Sequence, residues 1–255
     1  MSSYKVQTVK NSQSGFSLVE LMVSLSLGLV IMVVTTAFYI SNKQTYQYIN
    51  ASTEIIQSSQ YALYYLRETI GHAGFPLQSG AGAFPANAAS RADPAMTPVL
   101  DGGGINSDSI TVTYRASNDC LGNPAPLDAS GNSFATNTFF INNNSLFCRG
   151  LGNPAQVLIQ GVQNMQIEYG VDTNADSIPD TFANATQVEN GISSATPDWS
   201  NVVAVRIALL MLSQNPIAEQ AGVVNYQVLN ASIVTNDRFK RRVFTTTIPL
   251  RNAVI

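Results

Sequence analysis

One carboxylate stands out because of its place in the sequence. Glu20 is the only charged residue between Lys10 and Lys43, and it lies near the start of an almost wholly apolar run over 16–40. Even lenient insertion scales give a carboxylate at the centre of a membrane helix a cost of roughly 2.5–3.5 kcal/mol, and such residues are usually paired. Glu20 therefore predicts an ionic partner, and the nature of that partner bears on the function of the chain.

A second set of oxygen side chains has the spacing of a cation-binding loop. Residues 172–180 place them at positions 1, 3, 5 and 9, and they belong to Asp172, Asn174, Asp176 and Asp180. Closely spaced carboxylates of this kind begin a Ca²⁺ loop. A complete EF-hand is excluded, because Ser177 replaces its glycine and Ala183 its final glutamate. Two interpretations stay open: a shorter Asp-rich calcium turn, or an Asx-type surface turn with solvated acids.

The two cysteines are Cys120 and Cys148. If this part of the chain is exported, they predict a disulfide. Closing a loop of that length contributes roughly 3–4 kcal/mol in the chain-entropy account. The alternative is two free thiols. A zinc site is not indicated, because C-x-x-C spacing is absent and the only histidine, His72, is distant in sequence.

The composition of the chain suits an extracytoplasmic protein. Only 11% of the 255 residues are charged, and the net charge is −3. Ordinary soluble domains have roughly 25% charged residues. About 180 residues follow the N-terminal region, which is enough for one domain with a core. The negative net charge does not indicate a surface that binds nucleic acid. The basic cluster 238–242 is interpreted as a turn and a solvated strand start, with an anionic surface or nucleic acid as the alternative.

The N-terminus predicts a single membrane span. Residues 1–14 are polar and contain Lys5 and Lys10 but no acid. The following run, 16–40, is long enough to cross a bilayer. No small-residue cleavage site follows it, as one would after a secretory signal. The positive-inside rule places 1–14 in the cytoplasm and the rest of the chain outside.

The helical pattern continues past this span. The first proline is Pro76, and an apolar residue recurs every seventh position at Ile49, Ile56, Leu63 and Ile70. This periodicity predicts an amphipathic helix that continues the apolar one, so that 16–70 form a single helix. Glycines follow at once, as is typical of a helix end.

The remainder predicts a loop and then an antiparallel sheet. Residues 75–108 are rich in Gly, Ala, Ser and Pro and indicate a long loop. Alternating β-branched segments predict strands thereafter. They are 109–115, 138–142, 156–159, 162–169, 202–212, 224–234 and 243–250. The sequence Leu-Gly-Asn-Pro-Ala occurs twice, at 121–125 and 151–155, and we interpret both copies as turns.

The sequence around the first helix resembles a known signal. Gly15-Phe16-Ser-Leu-Val-Glu20-Leu, after a positive leader, resembles the class III signal motif of type IV pilins and type II secretion pseudopilins. The resemblance implies that a prepilin peptidase cuts between Gly15 and Phe16 and that the new Phe16 amine is N-methylated. It also implies that Glu20 pairs with the N-terminal amine of a neighbouring subunit.

The same resemblance implies a domain organisation and a fold. Residues 1–15 are a leader that is removed, 16–72 form the pilin helix with 16–40 in the membrane or the filament core, and 73–255 form an extracytoplasmic, strand-rich head. The fold class is α+β, of the type IV pilin-like kind, with the long helix packed on an antiparallel sheet.

Later segments resemble the PilW-type minor pilins. They are 70–75, 161–170, 203–210 and 241–252. The resemblance implies an initiating or tip-complex subunit that supports pilus biogenesis, and through it twitching motility, adhesion or DNA uptake. It implies as partners other minor and major pilins, the prepilin peptidase, the inner-membrane assembly platform and membrane lipid before assembly. The protein is then first in the bacterial inner membrane and later in the surface pilus.

Two other functions stay open: a minor pseudopilin of a type II secretion system, and a tip adhesin or binding module. An enzyme is not expected, because the sequence contains no G-x-S-x-G, H-E-x-x-H or P-loop motif. His72 is interpreted as a helix-end residue and Trp199 as a packed residue of the head. Ca²⁺ is the only cofactor that the sequence raises.

Overall fold

The computed structural model describes most of the chain. The described residues are 15–73, 101–103, 105–127, 131–192, 199–217 and 221–251. Most of the leader, 1–14, and most of the predicted loop, up to residue 100, lie outside them. The chain divides into two compact units, Met1–Gln47 and Tyr48–Ile255.

The first element is the long helix α1, Leu18–Gly71. Its sequence lacks proline, and Gly28 is its only interior glycine, so nothing interrupts the backbone hydrogen bonds. At its end, the Ala73 N–H donates to the Ile70 carbonyl at 2.9 Å. The single helix predicted over 16–70 is therefore confirmed.

The predicted apolar stripe of α1 is partly wrong. Ile49 is 55% exposed and Ile56 is 36% exposed. The residues that α1 buries are Ala51, Ile55, Ser59, Ala62, Leu66, Thr69 and Ile70. A strict seven-residue repeat drifts around a helix of 3.6 residues per turn. The buried face also uses small residues, Ala51, Ser59 and Ala62, that a search for large apolar side chains overlooks.

The first sheet has four antiparallel strands in the order β1-β2-β3-β4. They are β1 (Ile110–Arg115), β2 (Phe134–Asn142), β3 (Ser145–Gly150) and β4 (Gln156–Gln160). Asn143 and Asn144 join β2 to β3, both at positive φ, 45° and 54°. Such a two-residue turn matches the twist of a hairpin, and asparagine tolerates its left-handed backbone.

The second sheet has the order β10-β7-β5-β6 and is also antiparallel. Its strands are β5 (Val162–Val171), β6 (Thr181–Ala183), β7 (Val202–Pro216) and β10 (Phe239–Pro249). A short helix α2, Ala185–Asn190, follows β6, and its Asn184 and Gln187 form a capping box. A 3₁₀ turn, Trp199–Asn201, leads into β7.

Residues 224–234 form a hairpin, whereas the sequence predicts one strand there. The hairpin consists of β8 (Gly222–Val228) and β9 (Ala231–Asp237), and Leu229-Asn230 is its turn. Leu229 adopts a φ of 50°, which a bulky side chain rarely does. The turn contains no glycine, so the sequence pattern does not predict a break in the strand there.

Strand β7 is buried on both faces and organises the head. Val205, Ile207 and Leu209 join the main core, which also holds the buried stripe of α1. Ala208 and Leu210 face the other way and pack against the β8–β9 hairpin. This double burial explains the unbroken apolar run of β7.

Candidate functional site

The segment 15–20 leads into the first turn of α1. The Leu21 N–H donates to the Ser17 carbonyl at 3.1 Å, so the helix begins immediately after Ser17. Gly15 and Phe16 precede it in non-helical backbone, and Phe16 is 84% exposed. Exposed non-helical backbone of this kind is a favoured site of proteolysis. A Cβ at Gly15 would meet no atom within 4 Å, so the packing of the described residues does not itself require glycine there.

Glu20 lies in the first turn of α1 with an exposed side chain. The positive end of the helix dipole favours an acid there, but only by roughly 0.3–1 kcal/mol at an exposed position. The salt bridges of the described part of the chain are His72–Glu68, Arg206–Glu168 and Arg241–Asp237. None of them includes Glu20.

The apolar half of α1 is exposed along its whole length over 18–40. Among the described residues, α1 is the one helix long and apolar enough to cross a membrane. Its serine and threonine hydroxyls bond to the helix itself: Ser24 donates to the Glu20 carbonyl at 2.7 Å, and Thr36 donates to the Met32 carbonyl at 2.8 Å. Polar groups that bond within their own helix are compatible with lipid. This segment is a membrane-anchoring helix.

Cys120 and Cys148 form a disulfide between the turn after β1 and strand β3. Cys148 is fully buried. The Tyr65 hydroxyl, on α1, donates to the Cys120 carbonyl at 2.6 Å, and the Cys120 N–H donates to Asn137 Oδ1 at 2.9 Å. The disulfide turn is thereby tied both to the helix and to β2.

Asp119 lies beside this disulfide and collects several donors. Its carboxylate accepts from the backbone N–H groups of Leu121 and Asn123 and from the side-chain amides of Asn123 and Asn153. Burial raises the pKa of Asp119, but these donors, led by Asn123, outweigh it and hold the pKa below its usual range. Both copies of Leu-Gly-Asn-Pro-Ala are turns, and both direct their asparagine to this one carboxylate.

The Asp172 loop is organised by its own backbone. The Asp172 carboxylate accepts from the N–H groups of Asn174, Ala175 and Ser177 at 2.7–3.0 Å. Burial raises the pKa of Asp172, yet these backbone donors outweigh it and lower the pKa. Asp180 accepts from the Thr173 N–H at 2.7 Å. These are Asx-type turns, and Ala175 and Ser177 adopt positive φ within them.

Calcium binding at this loop stays a prediction. Asp172 has both oxygens engaged by backbone donors, and Asp176 accepts from the Ile178 N–H at 2.8 Å. Within the described part of the chain, no three His, Cys, Asp or Glu side chains are grouped closely enough to hold a metal ion. Asn174, the remaining predicted ligand, accepts from the Asp176 N–H at 3.0 Å through Oδ1.

The basic cluster 238–242 begins strand β10, as the sequence predicts, but two of its members are structural. Arg241 is buried and makes two 2.6 Å bonds to the Asp237 carboxylate. Lys240 lies 3.2 Å from the centre of the Tyr48 ring and donates to Ser52. Arg238 and Arg242 are exposed.

Two residues singled out in the sequence have ordinary surroundings. His72 is exposed at the end of α1, and its Nδ1 lies 2.7 Å from the Glu68 carbonyl. Trp199 packs edge-on against Tyr169, with ring centres 5.0 Å apart, and donates to Glu189.

One buried acid was missed by the sequence analysis. Asp108 lies within the predicted loop, yet it is 4% exposed and accepts from the Gly102 N–H at 2.8 Å and the Ile167 N–H at 2.7 Å. Burial, with Asp101 adding to it, raises the pKa of Asp108 to about 6 against the opposing effect of the two N–H groups. In the sequence, the only sign of this burial is that Asp108 lies two residues before Ile110, where the predicted loop meets the first apolar strand.

Two family profiles match the chain. The prokaryotic N-terminal methylation motif matches residues 10–36, and the type IV pilus-assembly protein W profile matches residues 132–252. A methylation motif at the head of a long helix, followed by antiparallel sheets, defines a type IV pilin-like protein. Together the two profiles support a PilW-type minor pilin of the type IV pilus. The α+β pilin-like fold predicted from the sequence is confirmed.

Two solved structures are similar in outline. A type IV-like pilin from Thermus thermophilus matches at 12% identity and a TM-score of 0.46, covering 78% of this chain and 98% of that one. A chain of the GspK-GspI-GspJ complex from the enterotoxigenic Escherichia coli type 2 secretion system matches at 14% identity and a TM-score of 0.36, covering 77% and 97%. No curated protein matches this chain significantly.

Proposed function

We propose that the chain is made as a prepilin and becomes a subunit that initiates the pilus or lies at its tip. A prepilin peptidase removes residues 1–15 by cutting between Gly15 and Phe16, and the Phe16 amine is methylated. The mature protein then consists of the pilin helix, 16–72, and an extracytoplasmic head, 73–255. Its role is to build a filament and not to catalyse a reaction.

Before assembly, the protein is held in the inner membrane by 16–40, with its N-terminus in the cytoplasm and its head in the periplasm. The assembly platform then moves it from lipid into contact with other minor and major pilins. Support comes from the apolar half of α1, which is exposed throughout and whose serine and threonine hydroxyls are bonded internally. Such a surface suits lipid first and the apolar faces of other pilin helices afterwards.

The observation that carries this proposal is the isolated charge of Glu20. It lies one turn from Phe16, on an exposed apolar helix, and the salt bridges of the described residues leave it out. The free amine of a neighbouring Phe16 carries the opposite charge, and two charges that are costly in an apolar filament neutralise each other when paired. This pairing favours one axial register between subunits.

The test replaces Glu20 in the full chain and measures incorporation into sheared pili by immunoblot. Glu20→Ala is expected to insert in the membrane and to be processed normally, but to be depleted at least tenfold from pili. Glu68→Ala removes an exposed acid near the other end of the same helix and is the matched control. Wild-type incorporation of Glu20→Ala would contradict the pairing.

A second variant tests the cleavage site. Gly15→Leu adds a side chain where nothing in the described residues obstructs one, so it does not disturb the fold. We expect it to retain residues 1–15, which intact-mass spectrometry detects. A mature mass in that variant would refute the cut at Gly15.

Deleting the gene and imaging pili distinguishes a pilus subunit from a secretion pseudopilin, because only the loss of a pilus subunit removes pili.

A further inference from the structure

The β8–β9 hairpin is attached to the head through one strand. Val228 and Ile233 pack against Ala208 and Leu210 on the outer face of β7. Strand β8 is the strand of the hairpin that lies against β7 and β10. Strand β9 therefore forms the outer margin of this layer, and its free edge faces away from β8.

The two-residue turn fixes which backbone groups lie on that edge. Because Val228 and Ala231 flank the turn, they form a hydrogen-bonded pair, and the pairs alternate from there. Asn225 and Val234 are then a non-hydrogen-bonded pair. The N–H and C=O groups of Ser232, Val234 and Asn236 accordingly point outward, and no strand of the described part of the chain pairs with them.

This edge lacks the features that normally prevent strand addition. Proteins usually protect edge strands with lysine, proline, bulges or inward charges. The hairpin sequence has no charged residue and no proline from Gly222 to Asn236, and its register is unbroken. Val234, at the middle of the edge, is 62% exposed. By contrast, the edge strand β10 contains Lys240, Arg242 and Pro249.

The same edge is complementary to itself. We propose that two copies of this chain pair through β9, antiparallel and centred on Val234, so that the two hairpins form one four-stranded sheet. In this register each Val234 faces the other, and each Ser232 faces Asn236 of the second copy. Apolar meets apolar and hydroxyl meets amide, which are favourable cross-strand pairs.

Charges at the ends of the strand agree with this register. Asp237 comes opposite Ala231 of the second copy, and Arg238 comes opposite Asn230. No like charges face each other, which would oppose the pairing. A slip of one residue would place Val234 opposite Ile233 or Thr235 of the second copy, whose backbone N–H and C=O groups already bond to β8, so the register can change only in steps of two residues.

The pairing is suited to a membrane and not to dilute solution. One short strand pair buries far less than the roughly 1,200–2,000 Å² of a stable protein interface. Two copies anchored in one membrane have a raised effective concentration, so a weak contact becomes populated. The proposal uses the anchoring helix but does not depend on Gly15, Phe16 or Glu20.

A cysteine at Val234 tests the contact directly. Facing residues of a hydrogen-bonded antiparallel pair have Cα atoms about 5.5 Å apart, within the range that a disulfide spans. Val234→Cys in the full chain, in isolated membranes under mild oxidation, is expected to give a disulfide-linked homodimer. Asn225→Cys lies on the same hairpin face but on β8, and is expected to stay monomeric.

A second arm tests the register. Ser232→Cys alone is expected to remain monomeric, because its counterpart lies several residues away. Ser232→Cys and Asn236→Cys chains with different tags, expressed together, are expected to form a mixed dimer, and adding Val234→Lys to both should reduce it at least fivefold. Retention of the Cys120–Cys148 bond, read from peptide mapping, shows that each variant is folded.

The two arms together can overturn the proposal. The absence of dimer from both Val234→Cys and the mixed pair would do so. Equal cross-linking of Asn225→Cys would mean random collision. Cross-linking of Val234→Cys to a different protein, with no homodimer, would show that the edge binds another chain and not a second copy. Pilus incorporation is measured separately, so failure here does not bear on the pairing of Glu20.

Discussion

The side-chain amide of Asn153 donates to Asp119 Oδ2 at 2.8 Å and joins two turns that share the sequence Leu-Gly-Asn-Pro-Ala. Asn123, at the same position of the other copy, donates to Oδ2 at 3.1 Å. Gly150 lies against Asp119 so closely that a Cβ there would overlap the carboxylate. The carboxylate thus holds together the turns on either side of the disulfide.

We expect Asp119→Ala to destabilise the head by about 2–3 kcal/mol. The substitution leaves the Leu121 and Asn123 N–H groups and the Asn153 amide without their acceptor, and hydrogen bonds to charged groups are each worth roughly 1.5–3 kcal/mol. Denaturant unfolding of the detergent-solubilised chain, followed by Trp199 fluorescence, measures the change. Glu68→Ala, an exposed acid, is expected to change stability by less than about 0.5 kcal/mol. Equal losses in the two variants would contradict the role of Asp119.

Asp108 predicts a stability that decreases as pH rises from about 4 to about 6. Its folded pKa is raised to about 6 from 3.8, so in this window the folded state binds more protons than the unfolded state. Stability is then highest below the unfolded value and is lost as pH rises through the folded one. Asp119, whose pKa is lowered, acts in the opposite direction, and its contribution is lost as pH falls below about 4.

The measurement is the unfolding free energy between pH 4 and pH 7. Asp108→Asn is expected to flatten the decline between pH 4 and 6, because the group that titrates is removed. An unchanged slope in Asp108→Asn would show that the buried carboxyl does not titrate in this window.

Tyr65→Phe tests the contact between α1 and the disulfide turn. The change removes one hydroxyl that donates to the Cys120 carbonyl at 2.6 Å and leaves the ring in its edge-on contact with Phe139. We expect a loss of about 1 kcal/mol, the net value of a typical hydrogen bond. Tyr61→Phe, which changes an exposed tyrosine one turn earlier, is the control. The measurement compares the melting temperatures of the two variants. No difference between the two would mean that water replaces the Tyr65 contact.

The N-terminal methylation motif and the long helix could be predicted because their signals are local. Gly15, Phe16 and Glu20 lie within six residues, and the absence of proline marks α1 directly. The two cysteines also gave the disulfide, because with two cysteines only one intramolecular pairing exists.

What escaped prediction depends on contacts distant in sequence. Asp108 is held by Ile167, 59 residues away, and Tyr65 bonds to Cys120 across 55 residues. The β8–β9 turn carries Leu229 at positive φ, where tertiary packing against β7 overrides the local preference for glycine or asparagine. Strands β5 and β7, by contrast, could be predicted from their own alternation and apolar content.

The ion pair between Arg241 and Asp237 gives a prediction about how the hairpin is held to the sheet. Arg241 is buried on β10, makes two bonds to the carboxylate that ends β9 and donates a third to Gln163 on β5. The Arg241 side chain lowers the pKa of Asp237 more than burial raises it. A planar guanidinium matches a carboxylate through two parallel bonds, whereas an ammonium group cannot.

We therefore expect Arg241→Lys to cost about 2 kcal/mol, although it preserves the charge. Arg242→Lys, an exposed change on the same strand, should cost less than about 0.5 kcal/mol. Asp237→Asn should cost as much as Arg241→Lys, since it leaves the buried guanidinium without its counter-charge. In the double variant the losses should be less than additive, because both changes remove the same interaction. Denaturant unfolding of the wild type, Arg241→Lys, Asp237→Asn and the double variant measures the coupling free energy. Strict additivity would show that the two side chains act independently.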